Sequence, residues 1–515
     1  MKDSFLGDVE REYADFLRDE SRRVGRADSI SFPDSADEVA SHLAAVSRNG
    51  LPVTVQGGRT GIAAGAVPDG GHVLNLSRMQ RLVAIRSEGS SWLLTVQPGV
   101  PLSALRQALE RRRLDDADDP AEAARVLGAA PALFLPTDPT ETSATLGGMA
   151  ACNASGARSL RYGPLRNHVE RLRVALVDGD FLDLRRGTTR AHGLDFEITT
   201  SSSRILRGRL PSYRMPATKN AAGYFAAQGM DLLDLFVGSE GTLGVIVEIE
   251  LRLIPLPPAI WALTAFFPAE EAAVAFVKQV RCGAIRPVAI EFFDHGALNM
   301  LRLRKAAGGA FADLPALPAA WDTAVYVEYH EDQDAVEAGV VAASEALAAS
   351  GGDPDRAWLA TDAREIERQK VFRHAVPESV NLTIAERKRT EPSLTKLGTD
   401  LAVPDDALDD VLAMYHEGLD RTGLDYVMFG HIGNNHLHVN ILPKSAEEYA
   451  RGKALYLEWA EWVVRRGGTI SAEHGVGKLK RDMLRLMYGD RGIEEMRAVK
   501  RVFDPRGLLN PGDLF

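Results

Sequence analysis

The segment Phe429-Gly-His-Ile-Gly-Asn-Asn-His-Leu-His-Val-Asn-Ile-Leu442 carries three imidazoles within eight positions. Its second half, residues 437–442, is predicted to form a β-strand, in which side chains two positions apart share one face of a sheet. His436, His438 and Asn440 are therefore expected to project together. The two glycines ahead of them allow the backbone to bend before the strand begins.

A second segment, Ser471-Ala-Glu-His-Gly-Val-Gly477, places a carboxylate, Glu473, beside a fourth imidazole, His474. Three neutral imidazoles and a carboxylate suit a divalent metal ion of borderline softness. A further imidazole next to such a site can act as a base near neutral pH. However, an isolated histidine is usually a polar residue with ordinary hydrogen-bond partners, and the i, i+5, i+7 spacing is not a standard zinc signature. From spacing alone, the histidines are therefore either metal ligands or ordinary hydrogen-bonded polar residues.

The composition excludes several classes of protein. With 515 residues, the chain is long enough for about three domains. The net charge of −11 leaves no basic surplus to neutralise phosphates, which disfavours a nucleic-acid partner. Two cysteines, Cys152 and Cys282, cannot form a disulfide scaffold, so a reduced compartment such as the cytoplasm is expected. Residues 1–10 are too charged for a signal peptide, and no apolar run is long enough to predict a transmembrane segment.

The first half contains three glycine-rich segments. Gln56-Gly-Gly-Arg-Thr-Gly61 follows a predicted strand over residues 52–55, and uncovered amides in such loops bind phosphate oxygens. The loop is neither a G-x-G-x-x-G fingerprint nor a Walker loop, so a tight surface turn is the alternative for this loop alone. Residues 136–156 are mostly small and allow a large flat ligand to lie against the backbone. A third loop, residues 238–244, opens a predicted strand over residues 245–253.

The remaining hydrophobic patterns predict an α+β chain, in which helices cover an antiparallel sheet. Residues 5–22 are predicted to form a charged surface helix. A capping box at Ser35 starts a helix that Gly50 ends, and residues 171–184 are predicted to form a hairpin. Residues 201–208 have little pattern and are expected to form a loop. In the second half, the predicted strands span residues 261–267, 288–294 and 323–329. The predicted helices span residues 270–279 and 334–349.

Taken in their order, these motifs resemble those of the flavoproteins related to vanillyl-alcohol oxidase, in the branch of FAD-dependent D-2-hydroxyacid dehydrogenases. That branch includes D-lactate dehydrogenase, D-2-hydroxyglutarate dehydrogenase and the glycolate oxidase flavin subunit. The resemblance extends from about Phe32 to the carboxyl end and includes Arg161-Tyr-Gly163, Lys219-Asn-Ala-Ala-Gly-Tyr224 and Ser471-Ala-Glu-His-Gly475. It implies a PCMH-type FAD-binding domain of two α+β subdomains, followed by a substrate (cap) domain built on an antiparallel sheet.

The resemblance also implies where the domains begin and end. Pro255-Leu-Pro-Pro258 marks a boundary near the middle of the chain. The implied units are an N-terminal helical appendage, the FAD-binding domain, the substrate domain and a C-terminal segment that returns to the FAD-binding domain, at residues 1–28, 29–256, 257–480 and 481–515.

By this resemblance, FAD is bound without a covalent link, because the 57–61 loop has no histidine to form a histidyl–flavin bond. The pyrophosphate is implied to lie on Gly57, Gly58, Thr60 and Gly61. The flavin is implied to contact Pro136, Thr137, Gly147, Gly148, Asn153, Ser155 and Gly156, with Asn510 close by and with Gly241 and Ile246 on the adenine side. Gln56 departs from the family pattern, because many relatives carry arginine there.

The resemblance assigns roles to the histidine-rich segments. His431, His438 and Glu473 match the positions that bind zinc or a similar divalent ion, such as Mn or Fe, in metal-dependent relatives. His474 matches the residue taken there as the general base. The segment departs from the family at Asn434-Asn-His436, where relatives carry Asp-Gly-Asn. His436 is therefore either an additional ligand or a strand residue that touches the pocket wall.

The resemblance also places two residues at the substrate. Arg373 is implied to hold the substrate carboxylate, to which a planar guanidinium is well matched, and Asn440 is implied to contact the substrate. Without the resemblance, Arg373 is equally well explained as a surface arginine. Pro377 replaces a threonine that binds the distal carboxylate in the 2-hydroxyglutarate enzymes, which disfavours that substrate.

The implied activity is oxidation of a D-2-hydroxy acid similar to D-lactate to the 2-oxo acid, with hydride transfer to flavin N5 and a metal-assisted histidine base. The implied electron acceptor is a quinone, a cytochrome or an electron-transfer flavoprotein. A homodimer and peripheral contact with the inner membrane are compatible with this assignment. The alternatives are the flavin subunit of a multi-chain glycolate oxidase or dehydrogenase, an oxidase that uses oxygen and, outside enzymes, a flavin-free metal-binding relative.

Overall fold

The computed structural model describes residues 7–515, and these residues form sheets of three, two, six and seven strands with helices packed on them. All strand pairs in the two large sheets are antiparallel. The predicted α+β class is confirmed. Within the described residues, every helix is too short or too polar to cross a membrane.

The N-terminal part differs from the prediction. Instead of one helix over residues 5–22, it has a single α-helical turn, α1 (Val9–Glu12), followed by a 3-10 turn (Ala14–Leu17). Residues 5 and 6 lie outside the described part of the chain. Tyr13 interrupts the helix with φ −130°, and its ring packs 5.8 Å from that of Phe32. Packing of the Tyr13 ring against Phe32 therefore overrides the local helical pattern.

The first sheet is small and parallel, with the order β1-β3-β2: β1 (Ser29–Ser31), β2 (Val53–Gln56) and β3 (His72–Asn75). Helix α2 (Ala36–Asn49) leads from β1 to β2. Ser35 caps it by accepting a hydrogen bond from the N–H of Glu38, and Gly50 ends it in the left-handed conformation with φ 66°. Both predicted helix signals are confirmed.

The second sheet has the order β4-β5-β11-β7-β8, with β6 also paired to β11. Its strands are β4 (Leu82–Glu88), β5 (Ser91–Val96), β6 (Leu133–Phe134), β7 (Val169–Ala175), β8 (Phe181–Arg185) and β11 (Val245–Pro255). The associated helices are α3 (Leu102–Glu110), α4 (Pro120–Ala129), α5 (Leu146–Ala151), α6 (Ser159–Tyr162) and α7 (Leu233–Phe236). The predicted hairpin over residues 171–184 and the predicted strand over residues 245–253 are confirmed.

The expected loop over residues 201–208 is confirmed for residues 201–204 and is wrong for residues 205–208, which belong to a strand. Two strands, β9 (Asp195–Thr199) and β10 (Ile205–Arg209), form an antiparallel hairpin around its first half. Phe196 and Ile198 on β9 are buried, whereas β10 is exposed on alternate residues. The hairpin is stabilised by burial of side chains on β9. The sequence of β10 itself therefore shows little of the apolar pattern that predicts a strand.

The second half of the chain contains a seven-stranded sheet with the order β15-β12-β14-β13-β17-β18-β16. Its strands are β12 (Ala259–Phe267), β13 (Ala289–Phe293), β14 (Thr323–Glu331), β15 (Trp358–Ala360), β16 (Leu397–Gly398), β17 (Tyr426–His431) and β18 (His436–Ile441). The helices of this part are α8 (Glu270–Cys282), α9 (His295–Ala307), α10 (Gln333–Ala349), α11 (Ala363–Arg387), α12 (Leu408–Thr422), α13 (Ala446–Arg465) and α14 (Arg481–Phe503), which is broken at Gly489. All five predicted elements of this half are confirmed.

The two faces of the seven-stranded sheet have different chemistry. Apolar residues such as Leu263, Val325 and Val327 belong to the core that includes α8 and α10. On the opposite face, polar side chains alternate along β14 at Tyr326 and Glu328, where α9, α11 and Arg158 from the first half of the chain approach. A buried sheet face that carries carboxylates and imidazoles requires partners for them, and this face holds the candidate site.

After α14, the chain returns to the first sheet. The N–H of Val53 on β2 donates to the carbonyl oxygen of Leu508 (2.7 Å), and the N–H of Asn510 donates to the carbonyl oxygen of Val53 (2.8 Å). The last part of the described chain thus packs beside the strand that leads into the 57–61 loop.

Candidate active site

The hairpin of β17 and β18 collects the three histidines of the 429–442 segment on one face. His431 pairs with His436 across the hairpin, and His438 lies two positions further along β18. Cross-strand partners and residues two apart share a face. The ring centroids of His436 and His438 lie 4.4 Å apart, and those of His431 and His438 lie 5.6 Å apart. Asn440 follows on the same strand and donates from Nδ2 to the carbonyl oxygen of His438 (3.3 Å).

Glu473 meets this histidine face from the 471–477 segment. Its Oε1 lies 3.1 Å from Nε2 of His438, and its Oε2 lies 3.3 Å from Nε2 of His431. One ligand atom from each of His431, His436, His438 and Glu473 lies within 4.8 Å of the others. Nitrogen and oxygen donors grouped in this way can surround one divalent ion. The structure therefore brings the three predicted ligands together, with His436 beside them.

The second ring nitrogens of the two predicted histidine ligands are also engaged. Nδ1 of His431 lies 2.7 Å from Oε1 of Glu291 on the neighbouring strand β13, and Nδ1 of His438 lies 2.9 Å from the carbonyl oxygen of Thr399. A metal-binding histidine commonly donates its other ring N–H to such an acceptor. Both Nε2 atoms are thereby directed towards Glu473.

Asp400 is the fully buried carboxylate that fixes the segment carrying Glu473. It accepts hydrogen bonds from the backbone N–H groups of Glu473 (3.2 Å) and His474 (3.1 Å) and from Oγ of Ser471 (2.6 Å), and Nζ of Lys480 lies 2.6 Å away. Burial raises the pKa of Asp400, but its interactions with the His474 imidazole and the Lys480 ammonium hold it well below its usual value. Asp400 therefore stays ionised.

His474 lies between two carboxylates. Its Nδ1 is 3.5 Å from Oδ2 of Asp400, and its Nε2 is 3.5 Å from Oε1 of Glu473. Burial lowers the pKa of His474 to about 4, despite the opposing influence of the two carboxylates. The ring is thus neutral at pH 7 and can accept a proton.

Lys219 adds a positive charge to the cluster. Its side chain is 4% exposed, and its Nζ lies 2.6 Å from Oε2 of Glu473. Burial raises the pKa of Glu473, but Lys219 and His431 hold it well below its usual value. Burial lowers the pKa of His431, but the carboxylate of Glu291 and then that of Glu473 raise it to about 9. In the absence of a metal ion, this cluster is therefore a network of opposite charges.

Arg373 projects from α11 towards the same sheet face. Its guanidinium carbon lies 4.6 Å from the centroid of the Tyr326 ring, and its Nη2 lies 3.7 Å from Oε2 of Glu291. Its Nε is buried and has no hydrogen-bond partner among the described residues. The side chain is therefore held in place while it retains donors for an incoming carboxylate. Pro377 lies inside the same helix.

The three glycine-rich segments predicted to bind FAD are joined to one another. The N–H of Gly58 donates to Oγ1 of Thr145 (3.3 Å), and the N–H of Glu240 donates to the carbonyl oxygen of Ala151 (2.8 Å). Asn510 completes the arrangement, because its Oδ1 accepts from the N–H of Val55 and its Nδ2 donates to the carbonyl oxygen of Glu240, both at 2.7 Å. Sequence-distant segments thus form one continuous lining.

Close packing explains several of the predicted cofactor glycines. A Cβ on Gly156 would lie 1.9 Å from the carbonyl oxygen of Asp138, and one on Gly57 would lie 2.3 Å from Oγ1 of Thr145. Gly147 and Gly241 are restricted in the same way by Pro98 and Asn510. In contrast, a Cβ on Gly61 would meet nothing within 4 Å, and a Cβ on Gly148 would meet only Oγ1 of Thr145 at 3.2 Å.

The other predicted cofactor residues line the same region. Gly58 and Gly61 are exposed, Thr60 is half-buried, and Pro136, Asn153, Ser155 and Ile246 are buried. Thr137 is 1% exposed, and its Oγ1 has no hydrogen-bond partner among the described residues. A buried hydroxyl without a partner requires one from a ligand or water. The exposed loop amides and the unpaired hydroxyl fit a cofactor with phosphate oxygens and a polar ring edge.

Gln56, which departs from the family pattern, has a structural role. Its Nε2 donates to the carbonyl oxygens of Phe16 and Ala66, both at 2.7 Å. The guanidinium carbon of Arg59 lies 4.1 Å from the centroid of the Phe16 ring. Gln56 thus links the N-terminal segment to the 57–61 loop. The guanidinium of Arg59, in the same loop, lies over the Phe16 ring of that segment.

Glu291, Asp400 and Lys219 are site residues that the sequence analysis did not assign. Lys219 begins the motif Lys219-Asn-Ala-Ala-Gly-Tyr224, but nothing in the spacing of that motif indicates Glu473 as its partner. Glu291 is a lone carboxylate within a strand whose residues are all buried. A charge in such a strand is costly without a partner, and that signal could have identified it.

The candidate cluster adjoins the segment predicted to line the flavin. Oγ of Ser155 lies 3.5 Å from Oε2 of Glu473, and Nε of Arg158 lies 2.7 Å from Oε1 of Glu328 on β14. Nδ2 of Asn153 lies 3.4 Å from the carbonyl oxygen of Asn220, next to Lys219. Groups from both halves of the chain therefore face one another across a single site.

Two family profiles match the chain. One, described as an FAD binding domain, matches residues 27–132 and 121–185, and the other, described as the C-terminal domain of FAD linked oxidases, matches residues 256–514. The chain is 28% identical over 492 residues to glycolate oxidase subunit GlcD of Bacillus subtilis (strain 168), covering 95% of this chain and 89% of the relative. It is 30% identical over 499 residues to a probable mitochondrial D-lactate dehydrogenase of Danio rerio, covering 96% and 86% of the two chains.

Two further similarities agree with these. The chain is 30% identical over 500 residues to D-2-hydroxyglutarate dehydrogenase of Xanthomonas citri pv. viticola, covering 95% of this chain and 89% of the relative. Among solved structures, an alkyldihydroxyacetonephosphate synthase matches with a TM-score of 0.64 at 15% identity, covering 99% of this chain and 82% of that one. At this identity the structural match supports the fold alone.

Proposed function

This chain belongs to the family of FAD-linked oxidases, and from that premise we propose that it oxidises a D-2-hydroxy acid similar to D-lactate to the corresponding 2-oxo acid. Its relatives carry the names D-lactate dehydrogenase, D-2-hydroxyglutarate dehydrogenase and glycolate oxidase subunit. All three names describe redox chemistry on a small 2-hydroxy acid. The chain is accordingly an oxidoreductase with an FAD-binding domain.

One observation carries the proposal. Glu473, at the centre of the histidine cluster, lies 3.5 Å from Ser155 in the segment predicted to line the flavin. A substrate bound at the cluster is therefore adjacent to the lining of the cofactor region. Hydride transfer requires such proximity between the substrate carbon and the acceptor.

When bound, FAD supplies a hydride acceptor at N5, and a divalent ion supplies a Lewis acid for the C2 hydroxyl of the substrate. His431, His438 and Glu473 would hold that ion, because two imidazoles and a carboxylate suit Zn, with Mn and Fe as alternatives, and His431 would release its proton when the ion binds. The loop containing residues 57–61 has no histidine, which supports non-covalent FAD.

Arg373 binds the carboxylate of the substrate in this proposal. Its Nε has no hydrogen-bond partner among the described residues, and its Nη2 lies 3.7 Å from Glu291, beyond hydrogen-bond distance. Both groups can therefore donate to a carboxylate in this buried site. Glu291 keeps the guanidinium in position without consuming all of its hydrogen bonds. The substrate thereby presents C2 towards the FAD-binding half while its hydroxyl faces the histidine cluster.

His474 accepts the hydroxyl proton at Nε2. Burial keeps its ring neutral at pH 7, since its pKa is lowered to about 4. The Asp400 carboxylate faces Nδ1 at 3.5 Å and stabilises the positive charge that the ring acquires. Asp400 is fully buried and ionised, so this stabilisation requires no solvent rearrangement.

The test follows the flavin absorbance of the purified enzyme under anaerobic conditions. We expect a yellow protein that D-lactate bleaches and L-lactate does not. His474→Ala should slow bleaching by about 10²- to 10⁴-fold, the usual contribution of a positioned base. His416→Asn, a substitution at the helix α12 histidine paired with Glu270, serves as the control and should leave the rate unchanged. A colourless protein, or undiminished bleaching by the His474 variant, contradicts the proposal.

A second candidate is the flavin subunit of a multi-chain glycolate oxidase, because relatives of that name match over 94–95% of the chain. Comparing glycolate with D-lactate as reductants distinguishes the two substrates. The electron acceptor is proposed to be a quinone, a cytochrome or an electron-transfer flavoprotein. Steady production of hydrogen peroxide would instead indicate an oxygen-using oxidase.

A further inference from the structure

His436 is the imidazole for which the family pattern provides no role, because relatives carry asparagine at this position of the motif. Its side chain is 0% exposed. The ring forms a triangle with those of His431 and His438, from which its centroid is separated by 5.3 and 4.4 Å, respectively. Neither ring nitrogen makes a well-aligned hydrogen bond to any of the described residues. A buried imidazole in this state has lost its hydration without replacing it, so it requires a partner.

We propose that His436 is a fourth protein ligand of the divalent ion, completing a set of three histidines and one carboxylate with His431, His438 and Glu473. This inference rests on the proposed metal site and adds a ligand that the family pattern lacks. It is carried by position, since one ligand atom of each of the four residues lies within 4.8 Å of the others. The antiparallel register also places His436 directly opposite His431, on the same face.

The neighbouring carboxylate does not account for His436. Nε2 of His436 lies 3.1 Å from Oδ1 of Asp400 but is not aligned for a hydrogen bond. Ser471, Lys480 and the backbone N–H of His474 donate to Oδ2 of Asp400, whereas Oδ1 accepts from the backbone N–H of Glu473. Contact with Oδ1 engages Nε2 of His436 only, and Nδ1 of the same ring has no hydrogen-bond partner among the described residues.

A fourth protein ligand changes which ion the site should prefer. Zinc with four protein ligands usually forms a closed tetrahedral site, which leaves no position for a substrate oxygen. Ions that accept more ligands, such as Mn²⁺ and Fe²⁺, retain room for the substrate hydroxyl. We therefore expect Mn²⁺ to support flavin reduction better than Zn²⁺ in the holoenzyme, and the order to reverse in His436→Asn, which restores the family's residue.

X-ray absorption spectroscopy of the metal-loaded holoenzyme counts the bound imidazoles directly. Mn²⁺- or Zn²⁺-loaded wild-type protein should fit three imidazoles, and His436→Asn should fit two, with metal affinity in chelator competition lowered by about tenfold or more. His416→Asn is the matched control, because it removes an imidazole remote from the site and should leave the count and affinity unchanged. If His436→Asn does not fold, the number of imidazoles bound in the wild-type protein still tests whether His436 is a ligand. His436→Gln provides a second variant.

Three results overturn the inference. A wild-type count of two imidazoles, or an unchanged count and affinity in a folded His436 variant, would make His436 a hydrogen-bonding neighbour of Asp400 only. Failure to bind any divalent ion would overturn it as well. Flavin bleaching by D-lactate, measured in the same samples before and after chelation, reports separately on the proposed oxidation. A metal-free enzyme that is still bleached retains the function while the inference fails.

Discussion

Asp294, at the corner between β13 and α9, provides a sharp test of the electrostatics around the seven-stranded sheet. It caps α9 by accepting a hydrogen bond at Oδ1 from the N–H of Ala297 (2.7 Å), and it is 4% exposed. Burial raises its pKa from 3.8 to about 7, because the cap hydrogen bond compensates only part of the lost hydration. We predict that Asp294→Asn, which retains the capping oxygen but cannot ionise, stabilises the protein above pH 7.

The sign follows from proton linkage. Between pH 4 and pH 7 the folded state binds more protons at Asp294 than the unfolded state does, so its contribution to the free energy of unfolding falls as the pH rises through this window. A shift of about 3 pKa units corresponds to about 4 kcal/mol as an upper limit. A cavity of about 350 Å³ lined by Asp294, Glu270 and Tyr426 admits water and reduces this cost. We therefore expect a gain of about 1–3 kcal/mol at pH 8 and almost none at pH 4.

The assay is urea unfolding followed at several pH values from 4 to 8, with a calorimetric midpoint at each pH. The difference between Asp294→Asn and wild type should grow steadily across the window. Asp332→Asn is the matched control, because Asp332 also caps a helix, α10, by accepting from the N–H of Ala335 (2.9 Å), but it is exposed. The reasoning is refuted if the two variants show the same pH dependence, or if Asp294→Asn destabilises the protein at pH 8.

Three further predictions concern the candidate site. Arg373→Lys should raise KM for the 2-hydroxy acid by about 10- to 100-fold while kcat changes less, because the planar fork is lost, and steady-state kinetics with equal KM would contradict the assignment. Gly156→Ala should lose flavin during gel filtration, because its Cβ would lie 1.9 Å from the carbonyl oxygen of Asp138, whereas an unchanged flavin content would exclude a role for this packing. Asp400→Asn should slow anaerobic flavin reduction at least tenfold, because His474 loses the carboxylate facing its Nδ1, and an unaltered rate would remove Asp400 from the mechanism.

The sequence was most informative where local rules act alone. The capping box at Ser35 and the left-handed Gly50 bound α2 where the sequence predicted, and the period-2 alternation identified β11. The prediction of a single helix was wrong for residues 7–22, where the Tyr13 ring packs against Phe32. The prediction of a loop was wrong for residues 205–208, since β10 is exposed on alternate residues and is ordered by its partner strand. Long-range packing decided both cases.

The candidate site shows the same division. Spacing within one strand was enough to predict that His436 and His438 share a face. It could not indicate Glu291, which reaches His431 from a strand 140 positions earlier in the chain, nor Lys219, which is separated from Glu473 by 254 positions. Such partners are chosen by sheet order and by the contact between the two halves. No pattern within a short window encodes either.

The bridge made by Asn510 has a consequence for how the protein is synthesised. Its amide oxygen holds the N–H of Val55, a residue 455 positions earlier, and its amide nitrogen holds the carbonyl of Glu240. A ribosome delivers the glycine loops long before it delivers the asparagine that connects them. In the nascent chain, the contacts between these loops that depend on Asn510 therefore form only after residue 510 has been synthesised. Contacts so distant along the chain form slowly, so the joining of the glycine loops is expected to be a late step of folding.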